Sequence, residues 1–307
     1  MHFRRNSDGF SRLCCKGVLG YRDTDQYLNI PDRSAVFSHI DDKKEGLAIL
    51  LEVGSLTFAY GKRNVLNGIN LEVKEGNLCA LLGENGSGKS TLLRIICGME
   101  IAEKGGVLLS GKNIQDLSAK ERARLTAYLP QRFGVYFDTA VLDIVLMGAN
   151  PNLKFGQTPT KAHVCRAYEA LDYLHISHLA EANYMYLSEG EKQMVMIARC
   201  IVQGAPLLLF DEPDSSLDVN NRYHMMQVLR RLADEEKLGA LLVLHDPQLA
   251  LAYCDKVYLL KGGKICAEIE KGVSSADTVE KGLRQVFSGI KVYENEGELF
   301  LGYRRSL

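Results

Sequence analysis

The chain has 307 residues, enough for one large domain or two small ones with a sizeable core. Its 37 lysines and arginines nearly balance 38 aspartates and glutamates, for a net charge of −1, so it lacks the positive surplus that sequence-independent nucleic-acid binding needs. With 46% hydrophobic and 24% charged residues it reads as globular rather than disordered, and its longest apolar runs, such as 47–51 and 78–82, fall far short of the ~20 residues that span a bilayer.

Residues 1–46 mix Arg4, Arg5, Arg12, Lys16 and Arg22 with Asp8, Asp23 and Asp25 and keep no helical or strand period. The stretch has no apolar core of a secretory signal, and its acidic residues argue against a transit peptide. It reads as a weakly structured extension, or as sequence ahead of the true start codon. Ordered patterning begins at Leu47. Residues 47–60 are strand-like, and Asn67-Gly68 reads as a turn ahead of the alternating 69–73, which predicts an antiparallel β layer. Residues 78–82 form a short apolar strand that runs into a glycine-rich loop, followed by helical spacing over 89–97. Ser118 and Glu121 have capping-box spacing and open another helix. Apolar residues recur at helical intervals over 161–187. The short apolar runs 207–210 and 240–244 have the form of parallel strands covered on both faces. Strands alternating with helices predict an α/β core. Residues 257–269 read as a hairpin turning at Gly262-Gly263, and 290–303 as another around Glu296-Gly297.

Eight cysteines (14, 15, 79, 97, 165, 200, 254 and 266) are spread along the chain with no C-x-x-C pair, as expected of reduced, packed thiols. Cys14-Cys15 lacks the further ligands of a metal site. His163, His175, His178 and His224 read as surface or core histidines.

Two motifs carry chemistry. Gly83-Glu84-Asn85-Gly86-Ser87-Gly88-Lys89-Ser90-Thr91 fits G-x-x-x-x-G-K-[ST] between a strand and a helix. Its glycines let backbone N–H groups and the helix dipole close round phosphates, with Lys89 reaching the β and γ phosphates and the Ser90 hydroxyl binding Mg²⁺. Downstream, the apolar run 207–210 delivers Asp211-Glu212. Adjacent carboxylates at the end of a buried strand are costly unless a cation or a bound water uses them. Asp211 is assigned to the Mg²⁺ shell and Glu212 to polarising the attacking water.

At this point the chain resembles ABC-type ATPases. Leu187-Ser188-Glu189-Gly190-Glu191 is similar to the LSGGQ signature, and the other family elements follow in family order over about residues 47–272. The resemblance makes Tyr60 the aromatic that stacks on adenine, Gln131 the Q-loop glutamine at the Mg²⁺, Asp218 the D-loop acid and His245 the switch histidine at the γ phosphate. It implies a P-loop NTPase core with an antiparallel β subdomain, a helical signature subdomain over about 132–190 and a helix-hairpin tail over 273–307. Glu189 and Glu191 depart from the Gly and Gln of the pattern. Ser188 and Glu191 also make an S-x-x-E capping box, so a purely structural N-cap competes with a role at phosphate. Two carboxylates near a triphosphate each add roughly 1 kcal/mol of repulsion at surface-like dielectric, which predicts slower or weaker ATP-driven closure.

The resemblance further implies an ATP-hydrolysing motor on the cytoplasmic face of a prokaryotic-type membrane. It pairs with a second copy of itself, with each ATP lying between the loop of one copy and Ser188, Glu189, Gly190 and Glu191 of the other, and works with permease subunits and, indirectly, a substrate-binding protein. Residues 131–147, including Val135-Tyr136-Phe137, are where such proteins accept the permease, although helical core packing accounts for these residues equally well. Residues 116–131 and 141–148 are similar to the importers of metal chelates (iron-siderophore, haem, cobalamin), while Ala149-Asn150-Pro151-Asn152 departs from them. The alternatives are a soluble, non-transport ABC ATPase and a low-turnover nucleotide sensor.

Overall fold

The computed structural model describes residues 47–131, 134, 138–154 and 156–303. The expectations for residues 1–46, Cys14-Cys15 and Val135-Tyr136-Phe137 lie outside these.

The functional end of the molecule is set by a six-stranded sheet ordered β10-β9-β3-β8-β7-β6. Its members are β3 (Leu78–Gly83), β6 (Thr126–Leu129), β7 (Leu207–Asp211), β8 (Gly239–Val243), β9 (Lys256–Lys261) and β10 (Lys264–Glu270). All neighbouring pairs are parallel except β9-β10, the hairpin turning at Gly262-Gly263. Every residue of β3, β7 and β8 is buried, which explains their unbroken apolar runs: both faces are covered, so no polar alternation is needed. Each fully buried Leu contributes about 2 kcal/mol by leaving water. Helices α1 (Lys89–Ile96), α6 (Val219–Glu236) and α7 (Pro247–Tyr253) belong to this layer, α6 being capped by the Asp218 side chain and α7 by that of Asp246.

A second, antiparallel sheet is ordered β2-β1-β4-β5, built from β1 (Ile49–Tyr60), β2 (Arg63–Lys74), β4 (Lys104–Leu109) and β5 (Lys112–Asn113). The chain reverses at Gly61-Lys62, where Tyr60 pairs with Arg63, and not at Asn67-Gly68. Those two residues lie within β2 at a register shift. There Gly68 adopts φ +68 and donates to Thr57 Oγ1 (3.1 Å), while the Asn67 N–H donates to the Gly263 carbonyl (2.8 Å). A bulge and a tight turn both ask for positive φ, so the dipeptide that marks one marks the other equally well.

The capping box at Ser118 forms and opens α2 (Ala119–Leu125). Helices α3 (Val141–Leu146), α4 (Lys161–Tyr173) and α5 (Glu189–Gln203) pack together beside the parallel sheet. The single helical stretch expected over 161–187 ends at Tyr173, because His175 turns the chain with φ +58, and short 3-10 turns follow. Helix α8 (Ala276–Arg284) and the hairpin β11 (Ile290–Asn295)–β12 (Glu298–Tyr303), turning at Glu296-Gly297, complete the described chain.

Tyr258 ties the two sheets together. From β9, where it is fully buried, its hydroxyl donates to the Glu72 carbonyl (2.8 Å) and accepts from the Glu72 N–H (3.0 Å) on β2. Tyr258→Phe leaves both backbone groups without that partner. We expect it to lower unfolding free energy by ~1–2 kcal/mol, read as a lower urea midpoint at unchanged slope.

Candidate nucleotide site

Four adjacent strands end at one edge of the parallel sheet, and each is followed by a residue of the site. β3 leads into the glycine-rich loop and Lys89, β8 into Leu244-His245, β7 into Asp211-Glu212, and β6 into Pro130-Gln131. The register sets these ends level, with Leu81 opposite Val243, Val243 opposite Asp211, and Leu129 opposite Phe210. Residues far apart in sequence therefore share one cleft of about 530 Å³, lined by Tyr60, the loop residues Asn85, Gly86, Gly88, Lys89, Ser90 and Thr91, and Gln131, Glu212 and His245.

The loop is built around Gly88, the N-cap of α1, at φ +108. A side chain there is strained in any rotamer, and a Cβ would lie 2.8 Å from Leu66 Cδ2. Lys89 is buried and folds back to donate to the carbonyls of Gly83 (2.8 Å) and Glu84 (3.1 Å). Burial pulls its ammonium below the ordinary lysine value, against the opposing pull of Glu212 and Asp211. The Ser87 hydroxyl is buried without a hydrogen-bond partner. An unpaired polar group inside a glycine-rich loop at a helix start fits a phosphate ligand. The Ser90 hydroxyl donates to Asp211 Oδ1 (3.1 Å). Asp211 is 2% exposed, and burial raises its carboxyl above the usual aspartate range, only partly offset by the Ser90 bond. A desolvated carboxylate beside a hydroxyl is a hard oxygen pair that suits Mg²⁺.

Glu212 sits at φ +55, a conformation that costs a non-glycine residue about 1–3 kcal/mol, and its N–H is held by the Val243 carbonyl (3.1 Å). This bend aims the carboxylate out of the sheet edge. His245 Nε2 lies 2.8 Å from Oε1, and because a carboxylate only accepts, that nitrogen carries the proton. The Gln131 amide Nε2 donates to Oε2. Gln131 thus meets Glu212, whereas its expected neighbours in the Mg²⁺ set, Ser90 and Asp211, meet each other. Tyr60 is half exposed at the cleft mouth, its ring edge-on to Phe58 (4.8 Å) and its hydroxyl donating to Glu100 (3.2 Å). Arg63 and Val65 also line the cleft. They have no motif of their own and could have been found only from the hairpin that folds them beside Tyr60.

The signature residues do not line this cleft. Ser188 caps α5 in a complete capping box: its N–H and hydroxyl both donate to Glu191 Oε2 (2.8 and 2.7 Å), and the Glu191 N–H donates back to Ser188 Oγ (3.3 Å). Glu189 pairs with Lys192 (2.9 Å), and Gly190 lies between the two glutamates in the first turn. The two extra carboxylates are therefore each bound within their own helix turn. Asp218 accepts from the Asn221 N–H (2.8 Å) as the cap of α6.

The ABC transporter family profile matches residues 66–215. The hemin import ATP-binding protein HmuV of Bordetella pertussis is 37% identical over 225 residues, 71% of this chain and 85% of the relative. The chain belongs to the ABC transporter ATP-binding protein family. Among solved structures, an inward-facing ABC transporter of metal-chelate type matches at TM-score 0.70 and 28% identity, over 83% of this chain and 97% of that one. A dimeric ABC cassette bound to ADP and Pi, in a post-hydrolysis state, matches at TM-score 0.64 and 27% identity, over 72% and 98%. The fold is that of the ABC ATPase cassette, and the protein is an ABC-type ATPase. Among the described residues of this ABC cassette no helix is long and apolar enough to cross a membrane.

The capping box makes a pH-dependent contribution of definite sign. The Ser188 bonds hold the Glu191 carboxyl below the ordinary value of 4.5. Its stabilisation is full above that value and is lost as pH falls through the lower folded-state one. We expect Glu191→Ala to lower the melting temperature at about pH 7, and the gap to wild type to narrow below about pH 4. A gap that stays constant with pH overturns this account.

Proposed function

We propose that the chain is the motor subunit of an importer for a metal chelate of the iron-siderophore, haem or cobalamin class, acting as a homodimer beneath separate permease subunits on the cytoplasmic membrane face. The observation that carries the site is the convergence of Lys89, Ser90, Asp211, Glu212, Gln131 and His245 on one sheet edge. The importer class rests on the likeness to the hemin import protein and to the metal-chelate type transporter, both reported above.

In this reading the backbone of residues 83–91 cradles the phosphates of ATP, Lys89 meets the β and γ phosphates, and Tyr60 stacks on the base. Mg²⁺, when bound with ATP, neutralises phosphate charge, and Ser90, Asp211 and the amide oxygen of Gln131 are the residues to hold it. Glu212 is the general base that orients and deprotonates the attacking water. Both of its oxygens are taken, by His245 and by Gln131, so the base rests in a blocked state. A γ phosphate that draws the His245 N–H to itself frees Oε1 for water, which couples activation of the base to arrival of the nucleotide. The partner copy supplies Ser188 and Gly190 to the same phosphate. There the Ser188 hydroxyl must leave Glu191, so Glu191 competes with the γ phosphate for this donor. Asp218, at the start of α6, belongs to the same dimer face.

Two measurements test the reading. Glu212→Gln should bind ATP with near wild-type affinity while phosphate release falls by about 10²–10⁴-fold; equal turnover in the two proteins overturns the role of the base. Co-purification from membranes with a polytopic permease, and ATP-dependent uptake of a metal chelate by the reconstituted pair, tests the importer. A chain recovered only from the soluble fraction and active there favours the non-transport ATPase.

A further inference from the structure

The geometry points to a pH-responsive joint between α4 and α6, formed by the stacked rings of His175 and His224, that is closed while His224 is neutral and opens on acidification. His175 follows α4 and is presented by its φ of +58, while His224 lies on the second turn of α6. The two rings stack at 4.2 Å between centroids and 22° between planes. They border a cavity of about 460 Å³ that His178, Glu191, Asn220 and Asn221 also line. The cavity thus touches three elements, namely the segment after α4, the first turn of the signature helix α5 and the first turn of α6 behind Asp218.

His224 donates to the Tyr173 backbone, and its Nε2 is buried with no hydrogen-bond partner. A proton arriving at Nε2 would create a buried, unpaired N–H on a cation facing a second imidazole, which costs free energy that the neutral ring does not. Among the described residues no neighbouring charge relieves it. Glu191, the carboxylate lining the cavity, is committed to Ser188, Asp172 on α4 accepts from Ser177 (3.1 Å), and Arg231 of α6 packs over the Tyr173 ring (5.0 Å). His178 faces the same cavity. Burial, then the adjacent His175, holds His224 below the ordinary value of 6.5. The closed joint is therefore fully stable above 6.5 and weakens as pH falls through the depressed folded-state value. Because α5 and α6 begin at this cavity, opening it loosens the segments that carry Ser188 and Asp218.

The test uses the full-length protein and His224→Asn, whose amide retains a donor for the Tyr173 carbonyl but cannot become charged. Hydrogen exchange over residues 171–178 and 220–226 is compared at about pH 7.5 and 5.5, corrected for intrinsic rates. Wild type should lose roughly tenfold in protection at the lower pH while His224→Asn changes by less than about twofold. In parallel, ring C–H resonances should place the His224 midpoint below the ordinary value of 6.5, and His175→Asn should move it upward; this second variant keeps the test usable if His224→Asn does not fold. A His224 midpoint at or above 6.5, no movement in His175→Asn, or equal acid opening in wild type and His224→Asn each overturn the joint.

Discussion

The parallel alignment of β3, β8, β7 and β6 is the constraint on which the site depends. Strands buried on both faces are apolar along their length up to the C-terminal end, so their chemistry gathers at that end and in the residues that follow. With the strand ends level, the residues after them gather at one edge: Lys89, His245, Asp211 with Glu212, and Gln131. A slip of one residue in β7 would turn Asp211 and Glu212 to opposite faces. The core and the geometry of the cleft are in this sense one structure.

Within that edge the polar groups restrain one another. Lys89 is held by two carbonyls of its own loop, Asp211 by Ser90, and Glu212 by Gln131 and His245. The left-handed backbone at Glu212 places backbone strain at a residue that lines the cleft. The signature shows similar economy. Glu191 is excess charge when considered against a phosphate but a capping partner when considered against its own helix, and both follow from its position three residues after Ser188.

Much of the fold was legible because its signals are local. Strand identity for 207–211 and 239–243, the hairpin at Gly262-Gly263 and the capping box at Ser118 each need only neighbouring residues to be read. Asn67-Gly68 was misleading for the same reason, since local preference for positive φ does not tell a bulge from a turn; the pairing of β2 along β1 decides between them. The end of α4 was hidden because His175 has no marked breaker character, and its left-handed conformation is tied to packing against α6.

The amino-acid order by itself carried the motifs: a glycine-rich loop between a strand and a helix, a carboxylate pair at a strand end, and a histidine and a glutamine after two further strands, each legible from residue type and spacing. The tertiary structure alone decided which of these groups touch. That Gln131 meets Glu212, that Arg63 and Val65 wall the cleft, that Glu191 is bound by Ser188, and that His175 lies on His224 depend on strand register, turn position and the seam between helices. Contacts between residues tens of positions apart are set by burial of whole faces, and no short stretch of sequence records them.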